Sequence, residues 1–210
     1  MTMTMRAMAF SNLTPKVFGL VKLTAETHLL AKGEVYIKEL ILPAGVTRIW
    51  AQTRNATAQD IELNVYANLN SDGQIEMICE RIGPTIAKFC DLPSSDIVNG
   101  LAWPANVSIV VRNLTGSGAA QDSVELWYGA VGQATINNNL TVSGPQSMPA
   151  AQPFDLNLVW NLPNAQAGDI YIGTLTLGSS PEVAAIGDMG GVPVTVYYQP
   201  YRMYLPAMQR

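Results

Sequence analysis

Two cysteines, Cys79 and Cys90, are the residues of this 210-residue chain most suited to redox or metal chemistry. Their spacing fits neither a CxxC motif nor a zinc knuckle, and no histidine lies near them in the sequence. We expect a disulfide instead, because paired cysteines are common in secreted β-domains. It would close a loop of about a dozen residues, worth roughly 3 kcal/mol in the chain-entropy model. A disulfide predicts a secreted, extracellular or cell-surface location.

His28, in the stretch AETHLL, is the single histidine of the chain. A serine hydrolase needs a nucleophile, a base and an orienting carboxylate held together. No serine in the sequence lies in a motif that resembles a peptidase nucleophile. A lone histidine is far more often a packed or solvated side chain than a catalyst. We therefore expect that the protein is not an enzyme.

The stretch NLNSDGQIE resembles the first half of a calcium loop, with Asn68, Asn70 and Asp72 before Gly73. Only one of these three residues is a carboxylate, and Cys79 stands where a bidentate glutamate belongs. One formal charge does not readily compensate for the dehydration of a divalent ion. The alternative is a hairpin turn in which Asn and Asp side chains bond their own backbone. We expect the turn, with no metal and no other cofactor.

The composition narrows the range of partners. Only 13% of the residues are charged, the net charge is −4 and 48% are hydrophobic. A surface of this kind offers no basic patch to neutralise phosphates, so a nucleic acid is not an expected partner. No apolar run approaches 18 residues, and no membrane span is predicted. Few charges and many apolar residues favour a chain that covers part of its surface with copies of itself.

Period-two alternation of apolar and polar residues dominates the chain, and helical periodicity is nearly absent. This pattern predicts an all-β fold of two β-sandwich lobes, immunoglobulin-like or jelly-roll-like, which divide near Val131. The expected units are an N-terminal arm (1–16), a first sandwich (17–131) and a second β-domain (132–210). The predicted strands are 17–24, 34–42, 46–53, 60–68, 106–113 and 123–131, then 134–143, 154–160, 169–177 and 192–198. Only residues 25–33 could be helical.

Two runs carry a resemblance to a known family, DIELNVYANLNSDGQIEMICERIGPTIAKFC and VSIVVRNLTGSGAAQDSVELWYGAV. They resemble the pre-peptidase C-terminal domain, which follows the catalytic domain in many secreted subtilisin-like serine peptidases of bacteria. The later segments FDLNLVWNLP, GDIYIGTLTLGSSPE and VPVTV are similar to the fibronectin-like or immunoglobulin-like domain that accompanies it in some of these proteins. The resemblance covers about two-thirds of the chain and implies a non-catalytic accessory module that binds a substrate or a surface.

Five asparagines stand two positions before a serine or threonine and form glycosylation sequons. They are Asn12, Asn55, Asn106, Asn113 and Asn139. In a host that glycosylates secreted proteins they would mark exposed positions. In most bacteria they carry no such meaning, because asparagine and threonine simply suit turns and strands. Both interpretations stay open at the level of sequence.

Aromatic residues are expected to pack in the core rather than to bind a ligand. The four tryptophans lie in or beside strand patterns, at Trp50, Trp103, Trp127 and Trp160. The end of the chain differs, because VYYQPYRMYLPAM does not alternate cleanly. Its tyrosines and methionines are of the types enriched at interfaces, and Tyr201, Met203 and Tyr204 are candidate contact residues. A contact surface and a strap over the core of the same subunit are equally compatible with this composition.

The first ten residues, MTMTMRAMAF, alternate like a half-buried strand. Met1, Met3 and Met5 share one face, and Met8 and Phe10 extend the apolar character. Such a strand can pair within its own sheet, or it can complete the sheet of a neighbouring subunit as a donor strand. The second alternative predicts a structural protein that self-associates, head to tail, into an extracellular filament. An accessory binding module is the other function that the sequence supports.

Overall fold

The computed structural model describes residues 1–9, 13–68, 74–83, 85–93, 105–145, 152–184, 187 and 189–199. This part of the chain is all-β, with four antiparallel sheets and a single 3₁₀ turn at Gln133–Thr135. The strands are β1 (Thr2–Ala9), β2 (Thr14–Lys22), β3 (Thr24–Leu30), β4 (Val35–Leu42), β5 (Val46–Arg54), β6 (Asp60–Ala67), β7 (Glu76–Arg81), β8 (Phe89–Pro93), β9 (Ala105–Thr115), β10 (Asp122–Gly132), β11 (Leu140–Ser143), β12 (Gln152–Trp160), β13 (Ile170–Gly178) and β14 (Gly191–Tyr197). Among the described residues, no helix has the length and hydropathy needed to cross a bilayer.

The first lobe is a jelly roll built from β3 to β10. One sheet has the order β3-β10-β5-β8 and the other has the order β4-β9-β6-β7. Eight strands distributed in this way between two facing sheets form the double Greek key of a jelly roll. The alternation in β9 shows why the sequence forms this lobe, since Val107, Ile109 and Val111 are buried while Asn106 and Arg112 are exposed. Each buried aliphatic side chain contributes about 1.5–3 kcal/mol.

The second lobe is a smaller sandwich that takes strands from both ends of the chain. Its sheets have the orders β1-β12-β11 and β14-β13-β2. Phe154, Leu156 and Leu158 of β12 face a core that also contains Leu20 and Leu175. Residues 24–132 are therefore inserted, as the jelly roll, between the second and third strands of this lobe in chain order.

The two lobes pack against each other through a third apolar cluster. Phe18 and Ile172 of the second lobe meet Trp50 and Val131 of the first lobe. The four sheets consequently form a stack, in which the sheets of β5 and β13 are the inner layers. Every residue of β13 except Leu177 is buried, because this strand faces the jelly roll on one side and its own core on the other.

The chain crosses between the lobes twice, at Leu23 between β2 and β3 and again at the end of β10. At the second crossing, a Cβ atom on Gly132 would lie 2.4 Å from the carbonyl oxygen of Gly45. Glycine therefore fits there and larger residues do not. The main-chain N–H of Gln133 donates to the same Gly45 oxygen at 2.9 Å, which fixes the exit from the jelly roll.

The disulfide joins the two sheets of the jelly roll at one side. Cys79 in β7 is bonded to Cys90 in β8, with their Cα atoms 6.1 Å apart. The two strands are the outermost members of their sheets on that side. Within the loop between them, the Lys88 ammonium donates to the Gly83 carbonyl and to Thr85 Oγ1. The predicted disulfide is confirmed.

The all-β fold and its sandwiches are also confirmed, but three local expectations are wrong. Residues 25–33 are not helical, because Glu26, His28 and Leu30 alternate inward as β3 pairs with β10. The segment 17–24 does not belong to the first sandwich, since β2 pairs with β13. Residues 134–143 form a strand only from Leu140 onward.

Replacing both cysteines by alanine should lower the free energy of unfolding by about 3 kcal/mol, since the unfolded chain then loses an eleven-residue cross-link. Urea unfolding of the C79A/C90A variant against the parent protein measures the change. Reductant should destabilise the parent and leave the double variant unaffected. Equal sensitivity of the two proteins to reductant would contradict the assigned role.

Candidate functional site

A groove at the open side of the second lobe is the main candidate site. The strands β1 and β14 are the outermost members of their sheets at this side, whereas β11 and β2 lie together at the other. The groove has a volume of about 1110 Å³. Among the described residues, its lining includes Met1, Met3, Trp160, Asn161, Leu162, Pro193, Val194, Thr195, Val196, Tyr197, Tyr198 and Gln199.

The register of β1 explains why its methionines line this groove. Met3 is paired with Leu158, a core residue, and so it lies on the inward side of the sheet. Thr4 lies on the outward side, where its hydroxyl donates to Asn157 Oδ1 at 2.8 Å. Because β1 is the edge of the sheet and no strand bridges it to β14, Met1 and Met3 keep 73% and 39% of their surface exposed. An apolar face of this kind is available for contact.

Main-chain hydrogen bonds fix the aromatic end of the groove. Met1 and Trp160 form a bonded pair, with Trp160 N donating to the Met1 carbonyl at 3.0 Å. Tyr198 N donates to the Asp169 carbonyl at 2.9 Å, and Gly168 N donates to the Tyr198 carbonyl at 2.9 Å. Trp160 and Tyr198 are thus held on rigid backbone. Apolar walls with amide and hydroxyl groups at the rim suit an extended chain better than an ion.

Arg48 of β5 holds the β14 wall of the groove from the side of the jelly roll. Its side chain is 1% exposed, and its Nη1 donates to the carbonyls of Gly173 at 3.0 Å and Val194 at 2.7 Å. Its Nη2 donates to Thr195 Oγ1 at 2.8 Å. Val194 and Thr195 also line the groove. The position of β14 therefore depends on a cation supplied by the other lobe.

The charge of Arg48 is balanced within the jelly roll. Its Nε and Nη2 donate to the two carboxylate oxygens of Asp91 at 2.7 and 2.9 Å. This bidentate geometry is the strongest form of an arginine–carboxylate contact. The guanidinium also lies 5.1 Å from the ring centroid of Trp50. Sequence reasoning missed Arg48, although an arginine within the apolar run VTRIWA was a signal that could have found it.

A second polar cluster joins the two sheets of the jelly roll at the side opposite the disulfide. Glu26 of β3 accepts hydrogen bonds from Lys38 Nζ at 2.6 Å, Tyr128 OH at 2.5 Å and Tyr36 OH at 2.9 Å. His28 stacks on Tyr36 with ring centroids 3.5 Å apart, and its Nε2 lies 3.4 Å from the Glu26 carboxylate. His28 therefore belongs to the group of side chains that joins β3 to β4.

Hydrogen bonds first from Lys38 and then from Tyr128 lower the pKa of Glu26 from 4.5 to about 2. The same contacts, with Glu26 and then Tyr128, raise the pKa of Lys38 above its ordinary value. A carboxylate and an ammonium held in these forms at neutral pH do not exchange protons readily. The cluster is suited to holding two sheets together rather than to acid–base chemistry.

The remaining predicted site residues are dispersed. Across the described residues, no three His, Cys, Asp or Glu side chains are arranged to hold a metal ion. Asn68 follows β6, whereas Asn70 and Asp72 lie outside the described residues, as do Phe10, Trp103, Tyr201, Met203 and Tyr204. Met5 and Met8 lie in β1, opposite Leu156 and Pro153. Trp50 is buried between the lobes, and Trp127 is partly buried beside it.

The sequons occupy different environments. Asn113 is fully buried, and its Nδ2 donates to the Leu30 carbonyl and to Asp122 Oδ2, so the folded chain leaves no space for a glycan there. Asn139 bonds the main chain of Leu20 through both its Oδ1 and its Nδ2. Asn55 and Asn106 are exposed, and Asn12 lies outside the described residues.

Comparisons with known proteins assign no family. No protein-family model matches the chain, and no curated protein matches it. The structure of TmCBM61 in complex with β-1,4-galactotriose aligns at 15% identity over 58% of this chain and 90% of that one, with a TM-score of 0.31. The infectious bursal disease virus Gt strain structure aligns at 13% identity over 90% of this chain and 45% of its own, also with a TM-score of 0.31.

The VP2 subviral particle of infectious bursal disease virus aligns at 12% identity over 81% of this chain and 43% of that one, with a TM-score of 0.29. This chain spans less than half the length of these two viral proteins. Identities and TM-scores of this size assign neither a family nor a function. The resemblance to the pre-peptidase C-terminal domain stays a prediction.

Replacing Arg48 by methionine should lower the free energy of unfolding by about 3–5 kcal/mol, because Asp91 is left as an unpaired, partly buried charge. Urea unfolding measures the loss. Arg112→Met is the matched control, since Arg112 is exposed on β9, and its effect should stay within about 0.5 kcal/mol. Similar losses in the two variants would contradict the role given to Arg48.

The stabilisation from Glu26 should be present above pH 4.5 and disappear as the pH falls toward 2, because its pKa is lowered on folding. The Glu26→Gln variant should therefore be clearly less stable than the parent at pH 6 and nearly equal to it at pH 2. Unfolding free energies of both proteins across this range test the prediction. In a Lys38→Met background, the stability difference caused by Glu26→Gln should depend less on pH. A pH dependence that is unchanged in this background would contradict the prediction.

Proposed function

We propose that this protein is a non-catalytic, extracellular structural protein that self-associates by exchange of β1 between neighbouring copies. The observation that carries the proposal is the attachment of β1. Within the described residues, β1 pairs with β12 alone, and the side chains of residues 1–4 are exposed. Its antiparallel pairing with β12 supplies main-chain hydrogen bonds, which an identical strand from another copy can replace.

The connection from β1 to β2 supports this exchange. The two strands lie at opposite edges of opposite sheets, and residues 10–13 connect Ala9 to Thr14. The distance from β1 to β2 is the diagonal of two strand spacings and one sheet spacing, which is roughly 14 Å. Five residue steps reach at most about 17 Å. A connection with this little slack favours domain swapping, which offers the strand a partner outside its own subunit.

Donation of β1 from each copy to the next would give a head-to-tail contact, because the donated strand and the β12 edge that receives it are different surfaces. Contacts of this type repeat as an open filament unless the rotation closes a ring. The low content of charged residues, 13%, suits a chain that contacts its own copies. The disulfide supports an oxidising location, and we place the assembly outside the cell or at its surface.

The groove favours a second candidate, an accessory module that binds a substrate or a cell surface. Its volume and apolar lining are compatible with a bound chain. A module of this kind is expected to be a monomer in solution, whereas the structural protein is expected to be an oligomer. The solution mass of the isolated protein therefore separates the two candidates.

Deleting residues 1–9 should convert the assembled protein into a monomer, because the donor strand is lost while both cores remain. Light scattering of the parent and the truncated chain at matched concentrations measures this change. Thr4→Val is the matched control, since it removes only the hydroxyl contact with Asn157 and should leave assembly intact. Assembly of the truncated chain, or a monomeric parent, would contradict the proposal.

A cross-linking experiment distinguishes exchange from pairing within one chain. Thr2 is paired with Val159, so cysteines at these two positions are well placed to form a disulfide. A mixture of T2C chains and V159C chains should give a covalent dimer under mild oxidation. If only the T2C/V159C double variant cross-links, and does so within one chain, β1 stays in its own subunit.

A further inference from the structure

The outward face of the β3-β10-β5-β8 sheet is only partly covered by the second lobe. Along β5, the side chains on this face change from buried at Arg48 and Trp50 to partly accessible at Gln52 and Arg54. The second lobe therefore covers one end of the face and leaves the other end open to solvent. Side chains at the open end stand on paired strands, which hold them in fixed positions more precisely than a loop does.

One row of side chains crosses the open end and places an aromatic residue on each side of an amide. Trp127 of β10 is paired with Gln52 of β5, and Gln52 is paired with Phe89 of β8. Residues directly opposite each other in antiparallel strands share a face of the sheet, so the three side chains lie on one face. Phe89 is 52% exposed. The two aromatic residues are two strand spacings apart, which is roughly 10 Å.

Neighbouring side chains fix the orientation of both rings. Phe89 stacks on Trp50, with the ring centroids 5.9 Å apart. The indole Nε1 of Trp127 donates to Glu125 Oε2 at 3.0 Å, and the guanidinium carbon of Arg54 lies 5.3 Å from the centroid of the same indole. The hydrogen bond from Trp127 lowers the pKa of Glu125 below its ordinary value. The row is therefore preorganised and is flanked by an ionised carboxylate and a guanidinium.

We propose that this row, from Trp127 across Gln52 to Phe89, binds an extended, neutral, β-linked glycan. The C–H face of a pyranose ring is apolar and packs on an aromatic ring, whose face is electron-rich. In an extended β-linked chain, the first and third sugars are separated by about the distance between Trp127 and Phe89. Amide, carboxylate and guanidinium groups each present two polar atoms in one plane, which suits neighbouring hydroxyl groups of a sugar.

The acceptors beside the rings favour a glycan over a peptide. The side-chain oxygen of Gln52 is enclosed by its neighbours and has no hydrogen-bond partner among the described residues. Rotation of the amide would bring this oxygen to a hydroxyl donor of the ligand. The carboxylate of Glu125 accepts hydrogen bonds and does not donate them. A proline-rich peptide also packs on aromatic rings, but proline has no N–H, so such a peptide would leave both acceptors without donors.

Isothermal titration calorimetry on the full-length protein tests the site with cellohexaose, mannohexaose, xylohexaose and chitohexaose. At least one of these hexasaccharides should bind, and the corresponding disaccharide should bind at least five-fold more weakly, because it is too short to reach both rings. Phe89→Leu removes the flat ring but keeps an apolar side chain, and it should lower the affinity roughly five-fold through loss of one aromatic contact. Phe89→Tyr keeps the ring and should bind like the parent.

Ile37→Ala is the matched control, because Ile37 is 53% exposed on the other sheet of the jelly roll. It should leave the affinity for the hexasaccharide unchanged. Absence of binding by all the hexasaccharides, or equal losses in Phe89→Leu and Ile37→Ala, would overturn the proposal. Decaproline should not bind, and binding of decaproline that depends on Phe89 would overturn the choice of a glycan.

The glycan site goes beyond the exchange of β1 and does not depend on it. The row lies on the jelly roll, whereas β1 belongs to the outer sheet of the second lobe. Failure of β1 exchange would appear in light scattering and in the cross-linking pattern. Failure of the glycan site would appear in the calorimetry.

Discussion

A buried guanidinium fixes the arrangement of the two lobes, which also pack through an apolar cluster. Arg48 belongs to the jelly roll, yet three of its hydrogen bonds go to Gly173, Val194 and Thr195 of the second lobe. A buried arginine is tolerated only when its donors are paired, because desolvation of the charge is otherwise costly. Separation of the lobes would leave Arg48 paired with Asp91 but would remove the three acceptors that the second lobe supplies to its guanidinium. The shape of the groove above Arg48 follows from this constraint, since β14 is anchored at Val194 and Thr195.

The two lobes differ in whether their two sheets are linked to each other at the edges. In the jelly roll, one side is joined by the Cys79–Cys90 disulfide, and the other is joined by Glu26 with Lys38 and two tyrosines. The second lobe has no comparable link between β1 and β14 among the described residues. Unpaired edges invite contact with other chains unless they are covered. In the part of the chain that the structure describes, the edges of the second lobe at β1 and β14 are therefore left without a cross-link between its two sheets.

Much of the architecture could be predicted from alternation, because strands with one buried face show it plainly. β9 and β10 are examples, and the cysteine pair indicated the disulfide. Other features could not be predicted, since they depend on residues far apart in the chain. β2 carries an ordinary strand pattern, and nothing local indicates that its partner is β13. Arg48 meets Val194, which lies 146 positions away, and the groove exists only once β1 and β14 are brought together.

The insertion of the jelly roll between β2 and β11 has a consequence for the synthesis of the chain. Met3 pairs with Leu158, so β1 leaves the ribosome about 150 residues before its partner does. At about 5–20 residues per second, this interval lasts roughly 8–30 s. The jelly roll can fold during that time, while β1 has no partner within its own nascent chain. If β1 is exchanged between copies as proposed, neighbouring ribosomes on one messenger RNA hold completed β12 strands close to unpaired β1 strands, and the spacing of ribosomes would influence which chains become joined.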